Sequence, residues 1–240
     1  MDCFKQHNYV ISLIRETKRR KHIEQEFGQQ NIPFSFFDAV TPDHIEDVAK
    51  KFNITLDRST NAKLCDGEIG CALSHIALWE LAVENDLDYI NIFEDDIHLG
   101  ENAKELLEVD YLSDDIDVLK LEANGKMVFL TPKAVKYDRK VYPITFKQSG
   151  TAGYTVTAKG AKYLLEQVKN KPLDYKVVQL SPGICVQDFV VNPDKPFEST
   201  LQKGRELVCE NQTKFSAFGR IINELMRLKR KLFMKQVPFK

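Results

Sequence analysis

Three consecutive carboxylates, Glu94-Asp95-Asp96, are residues whose types and spacing could do chemistry. Adjacent carboxylates repel one another, so they favour a bound cation or raised pKa values. Hard oxygen ligands select Mg²⁺ or Mn²⁺, and substrate phosphates and water commonly complete the coordination of these ions. The alternative is an acidic turn that caps a helix, because Asp and Glu are favourable at helix N-termini. The triplet alone does not distinguish the two interpretations.

The elements around the triplet favour the first interpretation. A short apolar run at 89–93 precedes it and predicts a buried strand. In an open α/β sheet, ligands bind outside the carboxyl ends of such strands. Further strands are predicted at 9–14, 34–40, 117–121 and 154–158, and helices at 15–27, from 41 onward, at 72–85, 101–109 and 159–169, whereas 57–70 reads as irregular. This alternation predicts an α/β fold, a sheet flanked by helices.

Length, composition and cysteine usage are those of a globular intracellular chain. The 240 residues are 43% hydrophobic and 29% charged, which suits one generous domain. Five scattered cysteines without a CxxC motif indicate reduced thiols in a cytoplasmic protein, and Cys65, Cys71 and His75 lack a credible zinc spacing. The polar N-terminus predicts no signal peptide, and no apolar stretch approaches the ~18 residues that a membrane span needs.

The C-terminal segment differs from the rest in charge. Residues 214–240 hold eight Lys or Arg and one acid, Glu224, whereas the whole chain has a net charge of −1. Apolar residues at helical spacing predict a basic amphipathic helix from 215 to about 234. We therefore divide the chain into a body, 1–213, and a basic tail, 214–240. The tail could lie on an anionic membrane surface, pack on the body or form an oligomer contact, whereas nucleic acid fits poorly because the body is acidic.

Five segments, taken together and in order, resemble glycosyltransferase family 25, the bacterial lipooligosaccharide sugar transferases. One such match would be weak, but five in the family's order are specific. They span roughly residues 9–190. The segments are VISLIRETKRR (10–20), FSFFDAV (34–40), GEIGCALSHIALWE (67–80), INIFEDDIHL (90–99) and SGTAGYTVTAKGAKYLL (149–165).

The resemblance implies a fold and a reaction. The fold would be of the GT-A type, with a mixed, mostly parallel sheet that binds the nucleotide sugar. The reaction would be an inverting transfer of a hexose, with galactose favoured, from a UDP-sugar to a growing lipooligosaccharide. The acidic triplet would play the part of the DXD metal motif and hold Mn²⁺ or Mg²⁺. A lipid-linked acceptor implies a cytoplasmic protein that is peripheral on the inner face of the inner membrane, with the tail as its contact.

The resemblance also implies roles for the carboxylates. A divalent metal would neutralise the leaving diphosphate. We expect Asp96 to bind it directly, and Glu94 or Asp95 to contact the ribose or to reach the metal through water. Inversion needs a general base beside the acceptor oxygen, for which Asp174 is the first candidate and Asp188 the second, or else a metal ligand. The loop after Pro172-Leu173-Asp174 is shorter here than is usual in the family.

Other residues are candidates for binding the nucleotide sugar. Val10, Ser12 and Leu13 end the first strand, where uracil and ribose should lie, and Arg15 and Arg19 could approach phosphates. Small residues at a strand entrance allow a sugar to approach the backbone closely. Structural alternatives, such as a solvated helix face, a core histidine or a tight turn, stay open for all of them. The remaining candidates are Glu68, Ser74 and His75 near the start of a helix, Asn124, and the run Gly150, Thr151, Ala152, Gly153 and Tyr154.

Three competing hypotheses concern the donor and the class of protein. The donor could be UDP-glucose or a UDP-N-acetylhexosamine. A nucleotidyltransferase of the same fold usually carries a glycine-rich loop after its first strand, and SLIRETKRR lacks those glycines. A non-catalytic carbohydrate-binding protein is disfavoured by the carboxylates at 94–96, 174 and 188.

Overall fold

The structure is a computed structural model that describes residues 6–56, 58, 64–123, 126–127, 131–144, 150–170, 177–197 and 235–240. Its helices are α1 (Thr17–Gln29), α2 (Ile45–Lys51), α3 (Asp66–Glu84), α4 (Ala103–Leu106), α5 (Ala158–Asn170) and α6 (Asp188–Val191), with a 3-10 turn at Pro42–His44. Its strands are β1 (Asn8–Ser12), β2 (Ser35–Asp38), β3 (Tyr89–Glu94), β4 (Ile97–Leu99), β5 (Val118–Lys120), β6 (Lys126–Met127), β7 (Ala134–Lys136), β8 (Arg139–Pro143), β9 (Gly153–Thr157), β10 (Val177–Ser181), β11 (Cys185–Gln187) and β12 (Lys235–Gln236).

An eight-stranded sheet with the order β2-β1-β3-β9-β5-β10-β8-β7 organises the described residues. β1 pairs in parallel with both β2 and β3, and β5 pairs in parallel with β10. β9 and β8 run against their neighbours, so most strands point the same way. The predicted mixed, mostly parallel α/β architecture is thus confirmed. Two small ribbons, β11 with β4 and β12 with β6, complete the strands.

Side chains alternate along each strand, so the central strands present apolar side chains on both faces of the sheet. Helices cover both faces. Val10 and Phe93 face one layer, where they pack with Ile23 and Phe27 of α1. Ile11 and Ile92 face the other layer, where Leu78 of α3 packs. The apolar runs of the central strands follow from this two-sided burial.

Helix α3 begins at Asp66, six residues before the predicted start at Ala72. Asp66 and Glu68 suit the first turn of a helix, and Glu68 accepts a hydrogen bond from the Cys65 amide at 3.0 Å. Gly70 reads as an irregular position in the sequence, but a Cβ there would lie 2.4 Å from the Val40 carbonyl oxygen. The glycine is therefore required by close packing and does not mark a loop.

The last residues of the chain belong to the folded body, although the predicted boundary places them in the tail. β12 pairs with β6, and Val237 is buried. The fully buried Arg139 donates a hydrogen bond to the Lys240 carbonyl oxygen at 2.5 Å. The predicted amphipathic helix at 215–234 lies outside the described residues. None of the helices in the described segments is long and apolar enough to cross a membrane.

Candidate active site

The carboxylate triplet lies where the sequence predicts it, at the carboxyl end of a central strand. Glu94 is the last residue of β3, and the neighbouring parallel strand β1 ends at Ser12. β9 runs antiparallel to β3, so its first residue, Gly153, lies at the same edge and pairs with Phe93. Three strands therefore bring their polar termini together at one edge of the sheet.

Asp95 is held by β1 and α1. Its carboxylate accepts a hydrogen bond from the Ser12 hydroxyl at 2.6 Å and one from the Arg19 guanidinium, also at 2.6 Å. Arg19 also lies 3.7 Å from an oxygen of Asp96. Both Asp95 and Ser12 are buried. The ion pair therefore compensates part of the negative charge of the triplet, and it places Arg19 among the carboxylates.

Glu94 and Asp96 face a common neighbour. The Gln187 side-chain amide nitrogen lies 3.5 Å from a Glu94 oxygen and 3.4 Å from an Asp96 oxygen. Burial and the charge of Glu94 raise the pKa of Asp96 from 3.8 to about 6. Burial also acts to raise the pKa of Glu94, but His75, Thr151 and Arg19 outweigh burial and hold it below its ordinary value. A desolvated carboxylate beside a second one favours a compensating cation.

Gln187 is a site residue that sequence reasoning missed. β4 follows the triplet immediately, and it pairs antiparallel with β11, so that Gln187 lies opposite Ile97. The Asp188 amide donates to the Asp96 carbonyl oxygen at 2.6 Å and fixes the same junction. The segment Val186-Gln187-Asp188 attracts notice only for its carboxylate, because an isolated glutamine has no sequence signature.

The small residues before β9 form one wall of the site. The Thr151 hydroxyl donates to Glu94 at 2.6 Å, and the Glu94 amide donates to the Ala152 carbonyl oxygen at 3.0 Å. Gly150 has a φ of 96°, a conformation that favours glycine. An added Cβ on Gly153 would lie 2.2 Å from the Cys185 sulfur. The predicted run 150–154 is therefore brought to the triplet.

A buried ion pair, also missed from the sequence, supports this wall. Lys120 at the end of β5 lies 2.6 Å from Glu122, and its ammonium group donates to the Gly150 carbonyl oxygen at 3.0 Å. Both side chains are at least nine-tenths buried. The alternating charges of the segment KLE at 120–122 are the only sequence signal, and a solvated strand end would show the same pattern.

His75 approaches the triplet from the middle of α3, not from its start. Its Nδ1 lies 2.9 Å from the Tyr154 hydroxyl, which accepts a hydrogen bond from the Trp79 indole at 2.9 Å. The hydroxyl proton is then available to Nδ1, which leaves a proton on Nε2. Nε2 is buried, has no hydrogen-bond partner among the described residues and lies 3.9 Å from Glu94. It is thus a donor available to a ligand.

Other predicted residues have mainly structural contacts. The Ser74 hydroxyl donates to the Gly70 carbonyl oxygen and accepts from the Val40 amide, both at 2.8 Å. Glu68 accepts a hydrogen bond from the amide of Cys65, the residue before its own helix. The Val10 side chain is in the core, Leu13 is half-buried and Arg15 is exposed. A ligand would therefore meet the backbone of Val10 and not its side chain.

Of the two candidate bases, Asp188 lies among the described residues. The Asp188 carboxylate accepts hydrogen bonds from Asn192 at 2.6 Å and the Phe197 amide at 2.7 Å, and it lies 2.9 Å from His98 Nε2. Burial acts to raise its pKa, but these three contacts outweigh burial and lower it. Asp174 and the sugar-contact candidate Asn124 lie outside the described residues.

Among the described residues, Cys65, Cys71 and Cys185 form no disulfide. The sequence predicts no zinc site from Cys65, Cys71 and His75. The fold brings two of these residues, Cys71 and His75, to Glu94, and one possible ligand atom from each of the three lies within 4.8 Å of the others.

Comparison with known proteins decides the family. The profile of glycosyltransferase family 25, described as an LPS biosynthesis protein, matches residues 5–179. The chain belongs to glycosyltransferase family 25. It is therefore a glycosyltransferase, and the family predicted from five sequence segments is confirmed.

Relatives within the family include proteins of two bacterial genera. A Haemophilus influenzae protein provisionally named a glycosyltransferase is 72% identical over 98% of this chain and 89% of its own length. The H. influenzae lipooligosaccharide biosynthesis protein lic2B is 33% identical, with 97% and 99% of the two chains covered. The lacto-N-neotetraose biosynthesis glycosyltransferase LgtE of Neisseria gonorrhoeae is 31% identical, with 83% and 81% covered.

Proposed function

We propose that this family 25 enzyme transfers a hexose, with galactose favoured, from a UDP-sugar to a lipooligosaccharide acceptor, with inversion and with the assistance of Mn²⁺ or Mg²⁺. The observation that carries the proposal is the pair Glu94 and Asp96 at the end of β3, both within 3.5 Å of the Gln187 amide. Relatives named for lipooligosaccharide and lacto-N-neotetraose biosynthesis support the class of acceptor.

The residues present fit a hard divalent cation. Asp96 and Glu94 supply oxygen ligands, and the pKa of Asp96 near 6 reflects a buried negative charge that a cation would stabilise. The bound ion would neutralise the leaving diphosphate as a Lewis acid. The Gln187 amide, turned over, would present its oxygen to the same point. Arg19 is placed to receive phosphate oxygens, because a guanidinium suits planar, bidentate recognition.

The protein must also remove the proton of the acceptor hydroxyl. We assign this to Asp174. Asp188 is less suited to it, since its oxygens already accept two hydrogen bonds and lie beside His98. His75 Nε2 and Thr151 border Glu94 and are placed to contact the sugar or the ribose. The basic residues of 215–234 would hold the enzyme near a lipid-linked acceptor.

Two variants test the proposal. Asp96→Ala is expected to abolish both sugar transfer and Mn²⁺-dependent UDP binding, with the fold retained by circular dichroism. Asp114→Asn, at an exposed acid outside these contacts, serves as the control and should behave as wild type. Unchanged transfer by Asp96→Ala would disprove the metal assignment.

The base has its own test. Asp174→Asn should lose turnover while retaining affinity for the UDP-sugar, because a carboxamide keeps the shape and cannot accept the proton. Turnover near that of wild type would exclude Asp174. A thermal-shift screen of UDP-galactose, UDP-glucose and UDP-N-acetylhexosamines with Mn²⁺ then identifies the donor, and stabilisation by UDP-galactose is the expected result.

A further inference from the structure

A second cluster of metal-binding side chains lies near the carboxylate triplet, and none of its members has a role assigned in the proposed reaction. It consists of His22 and Glu26, one turn apart on α1, and His98 on β4. One possible ligand atom from each of the three lies within 4.8 Å of the others. All three are partly buried, and the side chains of His98 and Glu26 are 20% and 17% exposed, so an ion from solvent can reach them.

The hydrogen bonds around the cluster are those that orient metal ligands. His22 Nε2 lies 2.8 Å from the Ile97 carbonyl oxygen, which can only accept, so a neutral His22 keeps its lone pair on Nδ1. His98 Nε2 lies 2.9 Å from an oxygen of the buried Asp188. Metal-binding histidines almost always donate their second nitrogen to a carbonyl or a carboxylate in this way.

The third side chain is oriented equally well. One Glu26 oxygen accepts a hydrogen bond from the Leu99 amide at 2.7 Å. Its other oxygen lies 3.3 Å from His98 Nδ1. The second nitrogen of each histidine and the second oxygen of Glu26 are thus occupied, which leaves Nδ1 of each histidine and one Glu26 oxygen to bind an ion.

We propose that His22, Glu26 and His98 form a second metal site, selective for Zn²⁺ or a similar divalent transition metal. Two imidazoles and one carboxylate suit Zn²⁺, whereas the all-carboxylate triplet suits Mn²⁺ or Mg²⁺. The ion ties α1 to β4, whose first residue follows Asp96, and it orients Asp188 through His98. It is a structural site that fixes the chain directly after the triplet.

The experiment is a Zn²⁺ titration of the full-length protein with competition by a chromogenic chelator. Excess Mg²⁺ is present to fill the metal site proposed at the carboxylate triplet. We expect one Zn²⁺ per chain. His22→Ala and Glu26→Gln should each weaken binding by about 10- to 100-fold or more, because loss of a ligand costs at least as much as loss of an orienting partner. Glu26→Gln keeps the shape of the side chain in case His22→Ala does not fold.

Two controls separate this site from others. Cys71→Ser removes the thiol of the Cys71, His75 and Glu94 cluster, and His44→Ala removes an exposed histidine elsewhere. Both should bind Zn²⁺ as wild type does. Co²⁺ in place of Zn²⁺ should give a ligand-field spectrum without a thiolate charge-transfer band. The proposal would be overturned if wild type does not bind Zn²⁺ tightly, or if His22→Ala and Glu26→Gln bind it as tightly as wild type does. A thiolate band that is lost in Cys71→Ser would also overturn it.

Discussion

At the proposed metal ligand Asp96, the proposed function conflicts with the stability of the fold. Its carboxylate is largely buried, next to Glu94, and only one guanidinium, that of Arg19, lies near both Asp95 and Asp96 among the described residues. Burying a charge without full compensation costs free energy, and active sites commonly retain such groups because a ligand completes them. The conflict can be measured in one variant.

Asp96→Asn should raise the free energy of unfolding in metal-free buffer at pH 7, although it abolishes transfer. The pKa of Asp96 rises from 3.8 to about 6 on folding, so its ionised form destabilises the native state by up to about 3 kcal/mol. The native state gains stability from protonation as the pH falls through 6 toward 3.8, so the advantage of the variant should shrink there. Urea unfolding at pH 7 and at pH 5 measures this.

The control is again Asp114→Asn, which removes an exposed acid and should leave the unfolding curve unchanged at both pH values. Saturating Mn²⁺ should reverse the order, because it stabilises only wild type. A variant that is less stable than metal-free wild type at pH 7 would contradict the prediction.

At the scale of elements, helix α3 and strand β9 are joined by the Tyr154 hydroxyl. It contacts Trp79 and His75, both on α3, at 2.9 Å each. The hydroxyl is buried, and burial raises its pKa above the ordinary value. These two hydrogen bonds of Tyr154, which we call the α3–β9 joint, therefore set the distance between His75 and the triplet at the end of β3.

Tyr154→Phe should destabilise the protein by about 1–3 kcal/mol, because it leaves the Trp79 and His75 nitrogens without their partner. It should also reduce transfer, since His75 loses the contact that orients it. Tyr137→Phe, at an exposed tyrosine, is the matched control with no expected change. Thermal unfolding and initial rates measure the two effects, and a fully stable Tyr154→Phe would refute the role of the joint.

The packing of β9 against β11 gives a second test at this scale. Gly153→Ala should cost about 1–3 kcal/mol, because its Cβ would lie 2.2 Å from the Cys185 sulfur and 3.2 Å from the Phe93 ring. Cys185→Ala makes room, so the double variant should be more stable than the sum of the two changes. A double-mutant cycle from urea unfolding measures the coupling.

Gly28→Ala is the control for the glycine series. A Cβ at Gly28 meets nothing within 4 Å, and the position lies in helix α1. We expect the free energy of unfolding to rise by up to about 1 kcal/mol, since alanine loses less conformational freedom than glycine does when a helix forms. Additive effects of Gly153→Ala and Cys185→Ala would mean that the two side chains do not collide.

At the scale of the whole molecule, the C-terminal segment cannot be treated as one detachable tail. Residues 235–240 are folded onto the body: Val237 is buried and the Lys240 carbonyl oxygen accepts from Arg139. Truncation of 215–240 would leave the buried Arg139 short of a partner, so lost liposome binding would not be informative. The basic residues of 215–234 must be tested within the full chain.

Replacement of Arg220, Arg227, Lys229, Arg230 and Lys231 by Gln should weaken sedimentation with anionic liposomes, since each basic residue near such a surface contributes up to ~1 kcal/mol. Neutral liposomes should bind neither protein. The matched control replaces five exposed lysines of the body: Lys18, Lys21, Lys104, Lys140 and Lys162. Equal loss in both variants would indicate general electrostatics, and no loss in the first would exclude the tail as the contact.

The sequence by itself determined the architecture, the family and the edge of the sheet that carries the triplet. Apolar runs at 9–14 and 89–93 mark central strands because both of their faces are buried, and the acids that follow must then lie at a strand end. Five ordered segments were sufficient for the family, which the matched profile confirms. Local pattern carries this information because each of these features is contiguous in the chain.

Only the tertiary structure decided which partners meet across the chain. Gln187 reaches Glu94 and Asp96 because β11 pairs with β4, and no sequence spacing encodes a contact between residues 91 or more positions apart. The same holds for His22 and His98, and for the close approach of Gly70 to Val40 that allows α3 to start at Asp66. Long-range contacts depend on strand pairing and packing, which act between segments and leave little trace in either segment alone.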